Sequence, residues 1–275
     1  MSAEITPHTP SKVVLITGCS SGIGRAAALR LAAAGHTVYA TARRPDSIAE
    51  LKEKGCRLLA LDVTSEASMA AAVGQIEAEH GAVGVLINNA GYSQSGAVEA
   101  VPVERMRAQF ETNVWGPMRL AQLVLPKMRR QRWGKIVNVS SMGGKLVFPG
   151  GGVYHASKYA VEALSDALRF EVRGFGVDVV LIEPGLIKTG FGDAAVATIE
   201  PPKSEASAAY ATFDEAVARA TKEVYEKGPL ARLAGSADDV AAAIEKAITA
   251  KRPKARYTVS ASAKLPSVYL RPPPY

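Results

Sequence analysis

Two side chains that could act together in proton transfer lie near the middle of the chain. Tyr154 and Lys158 are four residues apart, so a helix through this segment would place both on one face. An ammonium group beside a phenol favours the phenolate and lowers the phenol pKa from its ordinary value of about 10. We therefore predict that Tyr154 donates and accepts a proton near neutral pH. Ser141, thirteen residues before this tyrosine, is a further hydroxyl that could join them.

A glycine-rich turn follows the first apolar run of the chain. Gly18 ends that run, and Gly22 and Gly24 open a helical pattern. Glycines at this spacing permit a tight turn and a close approach of a pyrophosphate to the backbone. The free N–H groups of the helix N-terminus would bind that pyrophosphate, and Ser20 could add a hydrogen bond. The sequence lacks the Gly-Lys-Ser/Thr of a P-loop at this turn, so a dinucleotide is the ligand that we predict.

The end of the second strand predicts which dinucleotide binds. A carboxylate at this point would bind the ribose 2′-hydroxyl of NAD, but the chain carries Arg43 and Arg44 there. Two guanidinium groups suit the 2′-phosphate of NADP. We interpret the site as one for NADP(H); the alternative is that the two arginines only form a basic loop.

The segments that carry these residues alternate between strand and helix patterns, which predicts right-handed βαβ units and a parallel sheet. Apolar runs typical of buried strands cover residues 12–17, 37–41, 57–61, 83–87, 135–139 and 177–182, with a last short strand near 256–259. Helical patterns cover 23–34, 47–54, 65–80, 103–131, 153–175, 204–227 and 237–250, and Pro117 and Pro126 could kink the fourth. Ligands of such sheets bind beyond the carboxyl ends of the strands, where the glycine turn and Ser141 fall.

The same pass along the chain predicts one domain at residues 12–260. Residues 1–11 are expected to be a flexible N-terminus and residues 261–275 a proline-rich tail. Periodicity weakens within 186–228, which we interpret as a mobile lid over the substrate.

Composition excludes several classes of protein. Hydrophobic residues make up 48% of the 275, enough for a full core. Cys19 and Cys56 form no disulfide framework or metal-ligand pattern, which favours a reducing compartment and predicts no metal. The sequence shows no signal peptide and no apolar stretch of about 20 residues, so we predict a cytoplasmic protein that does not span a membrane.

The net charge of +7 raises the question of an anionic partner. Basic residues cluster at 127–135 and 246–256, which is typical of nucleic-acid or membrane-surface binding but also of solvated helix ends. Few aromatic residues that could stack on bases lie between them. We predict no nucleic-acid partner.

With these residues assembled, the chain resembles the short-chain dehydrogenase/reductase family. The motifs that carry the resemblance are Thr17-Gly18-x-x-x-Gly22-Ile23-Gly24, Asn88-Asn89-Ala90-Gly91, Asn113, Ser141, Tyr154-x-x-x-Lys158 and Pro184-Gly185-x-x-x-Thr189. They cover residues 12–190 densely. A weaker similarity in 17–24, 39–43 and 154–191 indicates the 17β-hydroxysteroid and retinol dehydrogenase branch.

The resemblance implies an α/β fold and an assembly. The fold would be a Rossmann-like, doubly wound parallel sheet of about seven strands with helices on both faces. The assembly would be a homodimer or homotetramer, often formed through the helices at 103–131 and 153–175.

The resemblance also implies catalytic roles. Tyr154 would be the acid/base, and Lys158 would lower its pKa and bind the nicotinamide ribose. Ser141 would polarise the substrate oxygen, although Ser140 is the alternative by position. Asn113 would hold a water that links Lys158 to solvent.

The implied cofactor contacts lie at four places in the chain. They are Gly18, Ser20, Ser21, Gly22, Ile23 and Gly24 in the glycine turn; Asp62 and Val63 at the adenine; Asn89, Ala90 and Gly91 after the fourth strand; and Pro184, Gly185, Ile187 and Thr189 at the nicotinamide.

Apolar side chains dominate the segments that would surround a substrate. Leu146, Val147 and Phe148 lie between Ser141 and Tyr154, and the 186–225 segment has few charges before Asp214. An apolar ketone or secondary alcohol, such as a steroid or retinoid, therefore fits better than a sugar or acid, unless these residues only pack. His155 is interpreted as a helix-surface residue.

The sequence thus predicts an NADP(H)-dependent oxidoreductase acting on an apolar carbonyl or secondary alcohol. The alternative is a catalytically silent NADP(H)-binding regulator of the same fold. The intact set of Asn113, Ser141, Tyr154 and Lys158 argues against it.

Overall fold

A computed structural model describes residues 9–201, 205–227 and 231–264. The strands are β1 Val14–Ile16, β2 Val38–Ala42, β3 Arg57–Ala60, β4 Val85–Asn88, β5 Gly134–Val139, β6 Val177–Pro184, β7 Ile187–Lys188, β8 Gly235–Ser236 and β9 Arg256–Val259. The α-helices are α1 Gly22–Ala33, α2 Glu50–Glu53, α3 Glu66–His80, α4 Val103–Phe110, α5 Gly116–Arg130, α6 Gly152–Val172, α7 Phe191–Val196, α8 Glu205–Ala209, α9 Ala211–Glu226 and α10 Ala237–Thr249.

Seven of the strands form one parallel sheet in the order β3-β2-β1-β4-β5-β6-β9. The register is set at its centre, where Val14 pairs with Val38 on one side and with Val85 on the other. The strand order reverses between β1 and β4, and a crevice opens beyond the carboxyl ends of strands at such a point. The predicted seven-stranded Rossmann-like sheet is confirmed.

Alternate side chains of the strands build two cores, one on each face of the sheet. Val14 and Ile16 point to the face covered by α1, α2 and α10, whereas Leu15 points to the face covered by α3 and α5. These three side chains are fully buried. Burial of an aliphatic side chain of this size stabilises the fold by about 1.5–3 kcal/mol.

The helix expected at 103–131 is divided. A π-helical turn, Glu111–Trp115, separates α4 from α5. Pro117 lies in the first turn of α5, directly after the π-turn, and has no N–H to donate back into that turn. The interruption therefore comes before the prolines, and α5 continues through Pro126.

Two other expected helices are also shorter than predicted. The 47–54 segment is a 3₁₀ turn, Pro45–Ile48, followed by the single turn of α2. Pro45 fixes the backbone at the start of that turn, which changes how the segment begins. The 204–227 segment is divided at Tyr210 into α8 and α9, and residue 204 lies outside the described residues.

The ends of the predicted domain are partly corrected. Ser11 is tied to the fold, because its N–H donates to Gln131 Oε1 at 2.9 Å and its hydroxyl donates to the Ala82 carbonyl at 2.7 Å. Ser262 is 1% exposed and lies in a 3₁₀ turn, Ser262–Lys264, so the fold extends past 260. Residues 1–8 and 265–275 lie outside the described residues.

The segment predicted as a lid begins with β7. This strand pairs with β8, and Ile187 is opposite Gly235. Helices α7, α8 and α9 lie within it. Within the described ranges, the helices are all too short or too polar to cross a bilayer.

Candidate active site

The glycine turn adopts a backbone that other residues rarely reach. Gly18 and Gly22 have φ angles of +73° and +57°. A Cβ on Gly24 would lie 2.4 Å from both the Asn89 Nδ2 and the Gly18 carbonyl oxygen. Only glycine fits at Gly24 without a shift of the backbone.

The end of β4 holds this turn in place. Asn89 Nδ2 donates to the carbonyl oxygens of Thr17 and Gly18 at 2.9 and 3.0 Å. The Thr17 hydroxyl accepts from the backbone N–H groups of Asn89 and Ala90, each at 3.0 Å. The turn thus presents a fixed shape to the crevice.

The N-terminus of α1 is open to an anion. Its capping residue, Ser21, makes no side-chain hydrogen bond to the helix, and Ser20 and Ser21 are exposed. Backbone N–H groups at the start of a helix need an acceptor, and a pyrophosphate provides one. Together with the fixed shape of the glycine turn, this fits the expected dinucleotide.

Arg43 and Arg44 follow β2 and are exposed. Among residues 9–201, 205–227 and 231–264, neither guanidinium has an ion pair or a side-chain hydrogen bond. Arg43 is near Asp62, whose pKa is lowered chiefly by a hydrogen bond from the Thr64 N–H and also by the Arg43 charge. Val63 beside it is buried. The residues expected at the adenine end therefore lie at one edge of the sheet.

The segment after β6 returns to the glycine turn. Gly185 donates its N–H to the Val259 carbonyl at 3.0 Å, and a Cβ there would lie 2.4 Å from Ser262 Oγ. Ile187 is buried. A Cβ on Gly22 would lie 3.5 Å from the Thr189 methyl group. The residues expected at the pyrophosphate and the nicotinamide thus meet, although they are far apart in sequence.

Ser141, Tyr154 and Lys158 converge at the carboxyl end of β5. Tyr154 and Lys158 lie on α6, with Lys158 Nζ 5.8 Å from the centre of the Tyr154 ring. Ser141 follows the strand, accepts a hydrogen bond from the Gly143 N–H at 3.0 Å, and is close enough to the Tyr154 phenol to lower its pKa. Ser140 is buried instead beside Gly144 and Glu162.

Burial changes the pKa values within this group. Burial raises the pKa of Tyr154 to about 12, although the nearby Ser141 hydroxyl opposes the rise. Burial lowers the pKa of Lys158 to about 8, and the charge of Glu162 opposes that change. Lys158 donates to the Val139 carbonyl at 2.8 Å. Burial thus raises the pKa of Tyr154 in this structure, and the lowering of that pKa by Lys158 stays a prediction.

Asn113 lies within the π-turn and is 2% exposed. Its Nδ2 donates to the Tyr92 carbonyl at 3.0 Å and to Ser157 Oγ at 3.2 Å, and its Oδ1 accepts from the Tyr92 N–H at 3.2 Å. A Cβ on Gly91 would lie 3.1 Å from that oxygen. Asn113 thus joins the loop after β4 to α6. The water relay stays a prediction.

Sequence reasoning missed a partly buried ionic network next to this site. Glu183, 3% exposed, pairs with Lys145 at 2.6 Å and with Arg256 at 3.0 Å, and Arg256 also pairs with Glu162 at 3.1 Å. The network joins the loop after β5, α6, β6 and β9. A glutamate just before Pro184, directly after the apolar run 179–182, was the signal that could have found it.

The predicted position of His155 is also corrected by the structure. It was expected on the helix surface but is 6% exposed. The loop between Ser141 and Tyr154 folds over this face of α6, and the ring hydrogen-bonds Gly143 and Phe148. The irregular loop gives no periodic signal that would have placed it there.

Helices α7 and α9 each place an aromatic ring near Tyr154. The Phe191 ring of α7 lies 5.5 Å from the Tyr154 ring, centre to centre. Tyr225 of α9 is close enough to raise the pKa of Tyr154. A Cβ on Gly192 of α7 would lie 2.9 Å from the Tyr225 ring. Phe148 and Val147, by contrast, expose 37% and 53% of their surface. Apolar side chains therefore flank the phenol.

No group of three or more His, Cys, Asp or Glu side chains in the described part of the chain is arranged to hold a metal ion. The two cysteines are buried and unpaired.

Comparison with known proteins identifies relatives of the whole fold. The family model described as short chain dehydrogenase matches residues 12–200. The 3-ketodihydrosphingosine reductase of Bacteroides thetaiotaomicron is 45% identical over 183 residues, 66% of each chain, so slightly less than two thirds of that protein is matched. The NADPH-dependent 3-dehydrocapnine reductase of Ornithobacterium rhinotracheale is 36% identical over 260 residues, 90% of this chain and 88% of that one.

Solved structures agree on the fold and differ in cofactor. A serine dehydrogenase complexed with NADP⁺ is 28% identical, with a TM-score of 0.76 over 90% of this chain and 94% of that one. A short-chain dehydrogenase/reductase from Burkholderia phymatum in complex with NAD is also 28% identical, with a TM-score of 0.74 over 90% and 89%. The similarity to the 17β-hydroxysteroid and retinol dehydrogenase branch stays a prediction. The chain belongs to the short-chain dehydrogenase family of oxidoreductases.

Proposed function

We propose that the protein is an NADPH-dependent reductase of a ketone carried by a largely apolar molecule. The observation that carries the proposal is the meeting of Ser141, Tyr154 and Lys158 beside the glycine turn. NADPH, when bound, supplies the hydride. The exposed Arg43 and Arg44 support the phosphorylated cofactor over NAD.

The proposed reaction assigns a task to each side chain. Reduction builds negative charge on the ketone oxygen, and the hydroxyls of Ser141 and Tyr154 stabilise that charge. A phenol with a raised pKa stays protonated at neutral pH, so Tyr154 can give its proton to the oxygen. Lys158 supplies positive charge near the tyrosinate that remains.

The substrate class rests on the walls of the site and on the relatives. Phe191 lies against the Tyr154 ring, and Val147 and Phe148 are exposed nearby in sequence. Two relatives are named as reductases of a 3-keto and a 3-dehydro compound. We infer a ketone with an apolar chain or ring system; steroids and retinoids remain members of that class.

Substrate assays test the proposal. Purified protein is mixed with NADPH or NADH and with 3-ketodihydrosphingosine, a keto-steroid, retinal, an aromatic ketone or a keto-sugar, and nicotinamide absorbance is followed. We expect oxidation of NADPH with an apolar ketone and little with the sugar. Faster turnover of the sugar, or with NADH, would contradict the proposal.

Replacement of the proton donor tests the mechanism. Tyr154→Phe removes only the hydroxyl, so turnover should fall by at least about 100-fold because general acid catalysis is lost. NADPH binding, measured by nicotinamide fluorescence, should change by less than about threefold. A variant that keeps most of its kcat would refute the acid role.

The alternative, a silent cofactor-binding regulator, predicts a different result. Tight NADPH binding with no turnover of any ketone, in the wild type as in Tyr154→Phe, would favour it. Hydrogen-bonded placement of Ser141 and Asn113 argues for a working site. We also propose that the 186–228 segment is the substrate lid and that the protein is cytoplasmic.

A further inference from the structure

One imidazole joins both ends of the loop that links Ser141 to Tyr154. His155 follows Tyr154 on α6, and its Nδ1 lies 3.1 Å from the Gly143 carbonyl oxygen. Its Nε2 accepts a hydrogen bond of 3.1 Å from the Phe148 N–H. The loop at residues 142–151 is therefore held at two points by the same ring.

The two partners fix the state of the ring. A carbonyl oxygen only accepts and a backbone N–H only donates, so the proton must be on Nδ1 and the lone pair on Nε2. Burial lowers the pKa of His155, which favours this neutral form. A ring protonated at both nitrogens would lose the bond to Phe148.

The loop closes tightly around the ring. A Cβ on Gly143 would lie 2.5 Å from Nδ1, and one on Gly151 would lie 2.6 Å from Nε2. The rings of Phe148 and Tyr154 each lie 5.6 Å away, centre to centre. The glycines of the loop are thus needed to admit the imidazole.

The two hydrogen bonds lead to different parts of the site. The Gly143 N–H donates to Ser141 Oγ, so the residue held by Nδ1 also orients the serine hydroxyl. The residue held by Nε2, Phe148, is an aromatic residue that is 37% exposed. We propose that His155 is a positioning residue with two separable roles, in which Nδ1 orients Ser141 through Gly143 and Nε2 places Phe148 against the substrate. This inference rests on the proposed function.

Two substitutions separate the roles. His155→Asn places an amide N–H near the Nδ1 position and keeps only the Gly143 bond. His155→Gln brings an amide oxygen near the Nε2 position and keeps only the Phe148 bond. One net hydrogen bond corresponds to about fivefold.

Each of the two variants should change a different kinetic constant. We expect His155→Asn to raise KM for the ketone about fivefold with kcat nearly unchanged, and His155→Gln to lower kcat about fivefold with KM nearly unchanged. His36→Asn and His36→Gln, in the turn between α1 and β2, are matched controls and should leave both constants unchanged. Equal losses in both constants for both His155 variants would overturn the separation.

Measurements that need no turnover distinguish this inference from the reductase proposal. In the wild type, the ¹⁵N shift of His155 Nε2 should be that of an unprotonated nitrogen, and a protonated Nε2 would overturn the inference. His155→Ala should speed hydrogen exchange in the loop 142–151 and leave NADPH fluorescence titrations nearly unchanged; unchanged exchange would refute the positioning role. Faster exchange in a protein that reduces no ketone would refute the reductase proposal alone.

Discussion

Lys158 brings an ammonium group into the interior at the end of β5, and the fold is less stable for it. Its pKa falls to about 8 from an ordinary 10.5 because burial disfavours the charge. Between these two values the unfolded chain binds more protons than the folded one, so the free energy of unfolding rises with pH through this window. At neutral pH the charged lysine costs roughly 3 kcal/mol.

Lys158→Met should therefore stabilise the protein while it abolishes turnover. Removal of the buried charge stabilises the fold, and loss of the hydrogen bond to Val139 offsets part of that effect. We expect a net gain of about 2 kcal/mol in unfolding free energy at neutral pH. Urea unfolding of both proteins measures it, and the difference should shrink as the pH rises above 8. Lys52→Met, at an exposed site, is the control. A variant less stable than the wild type at neutral pH would contradict the argument.

Arg43 tests the choice of cofactor at the same scale. Arg43→Ala should raise KM for NADPH by at least about tenfold, because a charge-assisted hydrogen bond to the 2′-phosphate is lost. KM for NADH should change little, and the exposed Arg252→Ala is the control. Steady-state kinetics with both nucleotides give the answer; equal effects on the two would exclude a phosphate contact.

Among the elements, the strand-to-helix turn before α1 has little freedom to vary. It is held between β4 and the segment after β6, so an added methyl group has nowhere to go. Helix α3 on the other face of the sheet contains Gly74, where a Cβ would meet no atom within 4 Å. The same chemical change can therefore be made at a closed and at an open position.

Gly24→Ala and Gly74→Ala form this matched pair. We expect Gly24→Ala to lose NADPH binding and about 1–3 kcal/mol of unfolding free energy, because the methyl group displaces Asn89 or Gly18. Gly74→Ala should bind NADPH normally and gain up to about 1 kcal/mol, because alanine favours the helix. Fluorescence titration and urea unfolding measure both. Normal NADPH binding by Gly24→Ala would show that the turn can shift to accommodate the methyl group, which contradicts the prediction.

For the whole molecule, the feature to explain is a row of exposed rings on α6. Phe170 is 78% exposed and Tyr159 is 44% exposed. They are eleven residues apart, close to three helical turns, so they lie on one face. Burial of this face against a second copy would remove them from water, as the predicted homodimer or homotetramer requires.

Phe170→Glu should weaken that assembly. We expect the wild type to sediment as a dimer or tetramer and the variant as a smaller species, because a buried glutamate at the contact is costly. Ala33→Glu, on α1 across the sheet, should assemble as the wild type does. A monomeric wild type would show that the predicted assembly is wrong.

Sequence reasoning reached the features that are encoded locally. The strands and the glycine turn follow from periodicity and spacing, and so the sheet and the grouping of Ser141, Tyr154 and Lys158 could be predicted. The burial of His155 could not, because an irregular loop covers it. The raised pKa of Tyr154 depends on burial beneath distant segments, and Arg256 meets Glu162 although they are 94 positions apart in the chain.

The π-turn at Glu111–Trp115 makes this helix sensitive to the loss of a single residue. A π-turn holds one residue more than the α-helical turn it replaces. Loss of one residue here would let α4 run into α5 as an unbroken helix and would keep the faces of the two helices in phase, because the wide turn alone holds the extra residue. The wide turn that carries Asn113 would be lost, so Asn113 would leave Tyr92 and Ser157 and the loop after β4 would no longer be tied to α6.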